Sequence, residues 1–208
     1  MASTAKENIL KKIRQALSNP VPLPFPLSEG NNSVFQPAAD ELEVIFAQEF
    51  TGLQGKFIYC TDDTDLQLQL QQFIAAKGYT KLFCNEDKWS HQYNNTDQLA
   101  TCDASITGCE YLVARTGSIV MSAAQQSGRT VSVYAPVHIC IAYTSQLVYD
   151  VKDALQLMKD KYPNGIPSMI TFATGPSRTA DIEKTLVTGV HGPKEVFLFL
   201  VDGELHVK

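Results

Sequence analysis

The chain has 208 residues, 44% of them hydrophobic, and a formal net charge of −5. That is enough for one domain with a core of its own, too apolar for general disorder, and free of the lysine and arginine runs that mark a nucleic-acid surface. No apolar run approaches the roughly 20 residues needed to span a bilayer, so neither a membrane span nor nucleic acid is expected, and a cytoplasmic location is.

The first segment, MASTAKENILKKIRQAL, is polar and amphipathic and lacks the apolar centre of a secretory signal. It predicts a helix over residues 3 to 18, with Ser3 or Thr4 as cap and Ile9, Leu10, Ile13, Ala16 and Leu17 on one face. Pro20, Pro22, Pro24, Pro26 and Pro37 then fix an extended path. Two readings fit this stretch equally: an arm that crosses to another subunit or partner, and a strap on its own domain. The body begins near Ala38, which gives an N-terminal helix and proline-rich arm over 1–37 and a single α/β domain over 38–208.

Residues 38 to 51 have helical spacing, and KFIYC at 56 to 60 reads as a strand. Residues 64 to 77 fit a helix that stops at Gly78, followed by the strand KLFC at 81 to 84. Such a strand–helix–strand crossover implies a parallel pair. Residues 85 to 100 are polar and irregular. Five short strands follow, at 103–107, 111–114, 118–122, 130–134 and 138–143, and their spacing suggests an antiparallel meander. A helix over 150–161, the strand MITFAT at 169–174, a helix over 180–188 and a strand over 196–201 close the chain. The fold class expected is α/β: three layers, α/β/α, with a mixed, mainly parallel sheet and an antiparallel hairpin region. Ligands in such sheets collect beyond the carboxyl ends of parallel strands, and the loop after MITFAT is placed at such an end.

The five cysteines, Cys60, Cys84, Cys102, Cys109 and Cys140, form no CxxC pair. Most sit in strand-like runs as small hydrophobes, and no metal is expected on the chain. The sharpest polar segment is TGPSRTADIE at 174 to 183. In one reading Ser177, Arg178, Thr179 and loop amides grip an anion. In the other this is a capped helix start, with Arg178 paired to Asp181 or Glu183. His191, between glycines in GVHGP, is a proton donor or ligand contact in one reading and a turn histidine in the other. In ARTGSIVMS, Gly117 at a hairpin tip leaves backbone open to a ligand and Ser118 and Ser122 add hydroxyls, although an ordinary hairpin explains the same pattern. His138, inside the apolar run APVHIC, reads first as a satisfied core histidine. Dinucleotide, Walker, GxSxG and HExxH signatures are missing.

The segments SITGCEYLVARTGSIVMS, PVHICIAYTSQLVYDVKDAL and TGPSRTADIEKTLVTGVHGPKEVFLFLVD, with an amphipathic first helix before prolines, resemble the LutC-type lactate-utilisation proteins, the LUD-domain family. The resemblance implies a fold like that of the NagB, ribose-phosphate isomerase and CoA-transferase superfamily. It implies a role in oxidation of L-lactate to pyruvate beside LutA-like and LutB-like iron–sulfur proteins. The clusters would sit on those partners, and a small anionic metabolite would bind here. It raises Ser177, Arg178, Thr179 and His191 as ligand-facing candidates; with the residues read above, the site expected has His191 as catalytic candidate and Gly117, Ser118, Gly175, Ser177, Arg178, Thr179, Asp181 and Gly192 as ligand-binding candidates. A homo-oligomer built through the N-terminal arm is a further expectation. One position departs: Arg115 stands where an acid is expected before Thr116-Gly117. Three functions remain open at this level: an anion-binding accessory subunit, a stand-alone enzyme acting on a phosphorylated sugar or CoA ester, and a purely structural partner.

Overall fold

A computed structural model describes residues 5–18, 37–180 and 185–205. The chain divides into two units, Met1–Pro37 and Ala38–Lys208. The first contains helix α1 (Ala5–Leu17), with Glu7 in its first turn and Arg14 in its last, as the helix dipole favours. Its capping residues and the prolines Pro20 to Pro26 lie outside the described residues.

The second unit runs through α2 (Leu42–Gly52), β1 (Lys56–Cys60), α3 (Asp63–Lys77), β2 (Leu82–Phe83), α4 (Asp87–Tyr93), β3 (Ala104–Thr107), β4 (Tyr111–Val113) and β5 (Ser118–Ser122). It continues through α5 (Val131–Tyr134), β6 (Val137–Tyr143), β7 (Leu147–Val148), α6 (Val151–Lys161), β8 (Ile170–Ala173), β9 (Arg178–Thr179), β10 (Val187–Thr188) and β11 (Glu195–Val201). The central sheet has the order β1-β11-β6-β3-β2, and all its pairs are parallel. A second sheet, β7-β4-β5-β8, is antiparallel except for the β4–β7 pair. This is the expected mixed α/β class, with a mainly parallel centre and the antiparallel strands set apart.

Burial on both faces explains why β6 and β11 are apolar along most of their length, His138 and Glu195 apart. On one face, Ile139, Ile141 and Phe199 meet Leu66 and Leu70 of α3 and Trp89 and Tyr93 of α4. On the other, Cys140, Ala142 and Leu198 meet Phe46 and Phe50 of α2 and Leu112 and Ile119 of the second sheet. α6 closes the outside of that sheet through Ala154 against Val113 and Val120. A buried carboxylate ties it down: Glu110 accepts from Ser122 Oγ at 2.5 Å, Tyr162 Oη at 2.8 Å and Lys161 Nζ at 2.7 Å.

Several expectations are corrected. β1 and β2 are parallel but occupy opposite edges of the sheet, because β3, β6 and β11 fill the space between them. The meander does not form: β3 and β6 join the central sheet, and only β4 and β5 make the hairpin. Residues 131 to 134 are a helical turn, not a strand; Pro136 removes a backbone donor just before β6, and only Val131 of the turn is buried. The irregular stretch at 85–100 contains α4, whose Trp89 and Tyr93 point one helical turn apart into the core. Where a helix is expected over 180–188, the described residues form an antiparallel hairpin pair, Val187 with Thr179 and Thr188 with Arg178. Residues 181 to 184, with Asp181 and Glu183, lie outside the described residues. Backbone bonds from Ser177 N to Pro193 O and from Gly189 N to Ser177 O, both 2.9 Å, hold the hairpin. Such tertiary pairing outweighs local helix propensity. Gly189 follows the strand β10, and its φ of 79° favours glycine.

Candidate functional site

β8 belongs to the second sheet, so the loop after it does not lie beyond the carboxyl ends of the parallel strands. It lies at their amino ends. There the turn from Thr174 to Arg178 and the turn from His191 to Pro193 face His138 and Val196, the second residues of β6 and β11, across a cavity of about 390 Å3. This size suits a metabolite.

Two glycines let the loops close up. A side chain at Gly192 would meet Ser177 Cβ at 2.9 Å, and one at Gly175, where φ is 93°, would meet the Leu53 carbonyl at 2.6 Å. A second cavity of about 440 Å3 shares Val133, His191 and Gly192 with the first and adds Tyr134, Val190 and Lys194. Arg178 lines the first cavity and Lys194 the second, and no described carboxylate lines either. That charge pattern favours an anion.

Five expected residues, Gly175, Ser177, Arg178, His191 and Gly192, therefore converge on one cavity. Thr179 sits on β9 outside its wall, and Asp181 is not described. Gly117 and Ser118 are elsewhere. Gly117 has a φ of 57°, and a side chain there would meet the Phe50 amide nitrogen at 2.5 Å, so it is glycine for contact with α2 and not for openness to a ligand. Ser118 is buried and exchanges a 2.7 Å hydrogen bond with Thr116. Arg115 Nε pairs with Asp150 Oδ2 at 3.0 Å while its side chain stays 45% exposed, so its charge is met by a carboxylate of the fold itself.

The residue the sequence undervalued is His138. It is buried and it lines the cavity. Its Nε2 lies 2.8 Å from Thr107 Oγ1, and burial pushes its pKa down to about 4. The available signal was a polar ring in a strand otherwise buried on both faces, a placement that needs a compensating partner. Among the described residues no group of three or more His, Cys, Asp or Glu side chains is placed to hold a metal, and no helix is long and apolar enough to cross a membrane.

Residues 3–201 match the family model described as the LUD domain. An uncharacterized protein of Neisseria meningitidis serogroup B is 33% identical over 106 residues, a match covering 51% of this chain and 45% of that protein. The chain thus spans about half the length of that relative. The lactate utilization protein C of Shouchella clausii is 35% identical over 184 residues, covering 78% of this chain and 80% of that protein. Among solved structures, a DUF162 family protein from Deinococcus radiodurans superposes with a TM-score of 0.58 at 17% identity, covering 80% of this chain and 99% of that chain, which speaks to fold alone.

Proposed function

Because the chain belongs to the LUD domain family, we propose that it is a lactate-utilisation subunit whose cavity at the amino edge of the central sheet binds a small carboxylate. The observation that carries this reading is the convergence of Arg178, His191 and Ser177 on a cavity with no described carboxylate in its wall. A guanidinium suits a carboxylate through paired N–H donors, and His191 and the Ser177 hydroxyl add polar contacts beside it. The name carried by the Shouchella relative supplies the chemical class, lactate. In this reading the protein works in the cytoplasm beside LutA-like and LutB-like iron–sulfur proteins. Electrons taken from L-lactate leave through clusters on those partners, and this chain contributes recognition of the acid. His191, exposed at the junction of the two cavities, is the group placed to exchange a proton with the bound ligand.

The test is thermal unfolding and calorimetry of the full-length protein with L-lactate, pyruvate, a sugar phosphate and a CoA ester. A ligand at 100 times its dissociation constant adds about 2.7 kcal/mol of stability. Binding of at least one of the two acids is expected, with a loss of about tenfold or more in Arg178→Ala, since a charge-assisted pair contributes about 1.5–3 kcal/mol. Binding of the phosphate or CoA ester alone would move the protein to the stand-alone enzyme reading. No binding of any of the four retires the ligand site.

A further inference from the structure

β6 is buried from end to end, and His138 is its one ionisable side chain apart from Cys140 and Tyr143, only 1% exposed. Its neighbours point to which ring nitrogen carries hydrogen. Thr107 Oγ1 lies 2.9 Å from the Gly108 carbonyl oxygen and 2.8 Å from His138 Nε2. A carbonyl only accepts, and we assign the single hydroxyl hydrogen of Thr107 to Gly108. Thr107 Oγ1 must then accept from the ring, and Nε2 carries the hydrogen. A neutral imidazole has one N–H, which leaves Nδ1 a bare lone pair. Burial keeps the ring neutral, with a pKa near 4, so this arrangement persists at pH 7.

No described group donates to Nδ1, since the one hydrogen bond of this ring is that of Nε2. The buried polar atoms sealed off without a partner, among the described residues, are Tyr93 Oη and Ser105 Oγ. Nδ1 is not among them, and His138 lines the cavity. The cavity wall therefore combines a cation that only donates, Arg178, with a buried acceptor of fixed tautomer. A ligand that satisfies both carries a carboxylate and an O–H donor close together. A 2-hydroxy acid has both groups. A 2-oxo acid has only acceptors, and its carbonyl would set lone pair against lone pair at Nδ1.

We infer that His138 Nδ1 accepts the hydrogen bond of the hydroxyl of a 2-hydroxy carboxylate whose acid group is held by Arg178, so that the cavity selects the hydroxy acid over its 2-oxo counterpart. This rests on the carboxylate-binding reading above and goes one step further, to the oxidation state of the ligand. Discrimination by a site built to bond a hydroxyl is strong, because the analogue without that hydroxyl leaves a buried polar group unpaired. In a system that oxidises the acid, such a site holds the reduced form and releases the oxidised one.

Two measurements test it on the full-length protein. Long-range proton–nitrogen NMR of histidine labelled with nitrogen-15, assigned by loss of the signal in His138→Phe or, should that variant not fold, in His138→Gln, reads the tautomer without a ligand. A neutral ring protonated on Nε2 at pH 7 is expected. An Nδ1–H tautomer or an imidazolium overturns the inference. Calorimetry then compares L-lactate with pyruvate. The wild-type protein is expected to prefer lactate at least tenfold, and a folded His138 variant without the acceptor, His138→Phe, to keep carboxylate binding with the preference reduced to about twofold or less. Equal affinities in the wild type, or a preference that survives in His138→Phe, overturn the inference while leaving carboxylate binding intact. Binding of neither acid, with the Nε2–H tautomer present, brings down the carboxylate reading itself. Where the substituted chains do not fold, the wild-type ratio alone decides.

Discussion

His138 makes the protein's stability depend on acid. In the unfolded chain the ring titrates near its ordinary 6.5, and in the folded chain burial lowers the pKa to about 4. Between those values the unfolded chain binds a proton there and the folded chain does not, so stability falls as pH drops through this window and is fully present above 6.5. At about 1.4 kcal/mol per pKa unit, the effect is on the order of 3 kcal/mol. Urea unfolding at pH 7 and at pH 4.5, in the wild type and in a folded His138 variant, isolates it. The wild type is expected to lose substantially more stability than the variant over that interval, and equal losses would show that the ring is not the source. The same burial explains why a histidine in an apolar strand read as core from sequence. Sequence carries the apolar neighbours, but it does not carry Thr107, thirty-one positions away, which fixes the tautomer.

Elements whose ends are set by local chemistry were legible, and those set by distant pairing were not. α3 ends at Gly78 because that residue takes a left-handed φ of 67°, and α6 begins at Asp150 through a reciprocal cap with Asp153. β1 and β11 stood out as apolar runs between turn residues. The order of the central sheet did not, because parallel neighbours come from far along the chain and leave no local mark. The 178–188 segment shows the other limit: its acids and threonines favour a helix start, yet hydrogen bonds to Ser177 and pairing with Thr179 make a hairpin. Five of the expected residues line one cavity, and glycine turns and a loop arginine are local signals; the side of the sheet on which they gather is not. Arg115 belongs at this scale too. It joins the β4–β5 hairpin to the cap of α6 through Asp150, which also accepts from Lys152 N at 3.1 Å. Arg115→Glu, which introduces the acid expected by resemblance, would set two carboxylates together at the start of α6. Arg115 is 45% exposed, so solvent screens the pair and a loss of about 1 kcal/mol is expected. Adding Asp150→Asn, which keeps a capping side chain and removes the repulsion, should recover part of that loss. Full additivity of the two substitutions in urea unfolding would mean that the residues do not interact.

At the scale of the whole molecule, the described buried hydrophobic residues run from Phe46 to Val201, all within the second unit. Residues 38–208 therefore carry a core of their own. The described helix of that first unit presents Ile9, Leu10, Ile13 and Leu17 as exposed side chains on one face, an arrangement that stabilises a helix in water only weakly unless something packs against it. We propose that residues 1–37 act as an assembly arm, toward the iron–sulfur partners or a second copy of the chain. Deleting them should leave a folded 38–208 protein whose Tm lies within a few degrees of the full chain, because the buried apolar area that dominates stability is untouched. The same deletion should abolish co-purification with co-expressed LutA-like and LutB-like partners, or convert a full-length oligomer to monomer in sedimentation. Replacing Ile9, Leu10 and Ile13 by serine in the full-length chain should have the same effect without shortening it. If the truncated protein does not fold, the first unit is part of the domain and not an arm. If it folds and both assembly state and partner binding are unchanged, the apolar face of α1 has no role in association.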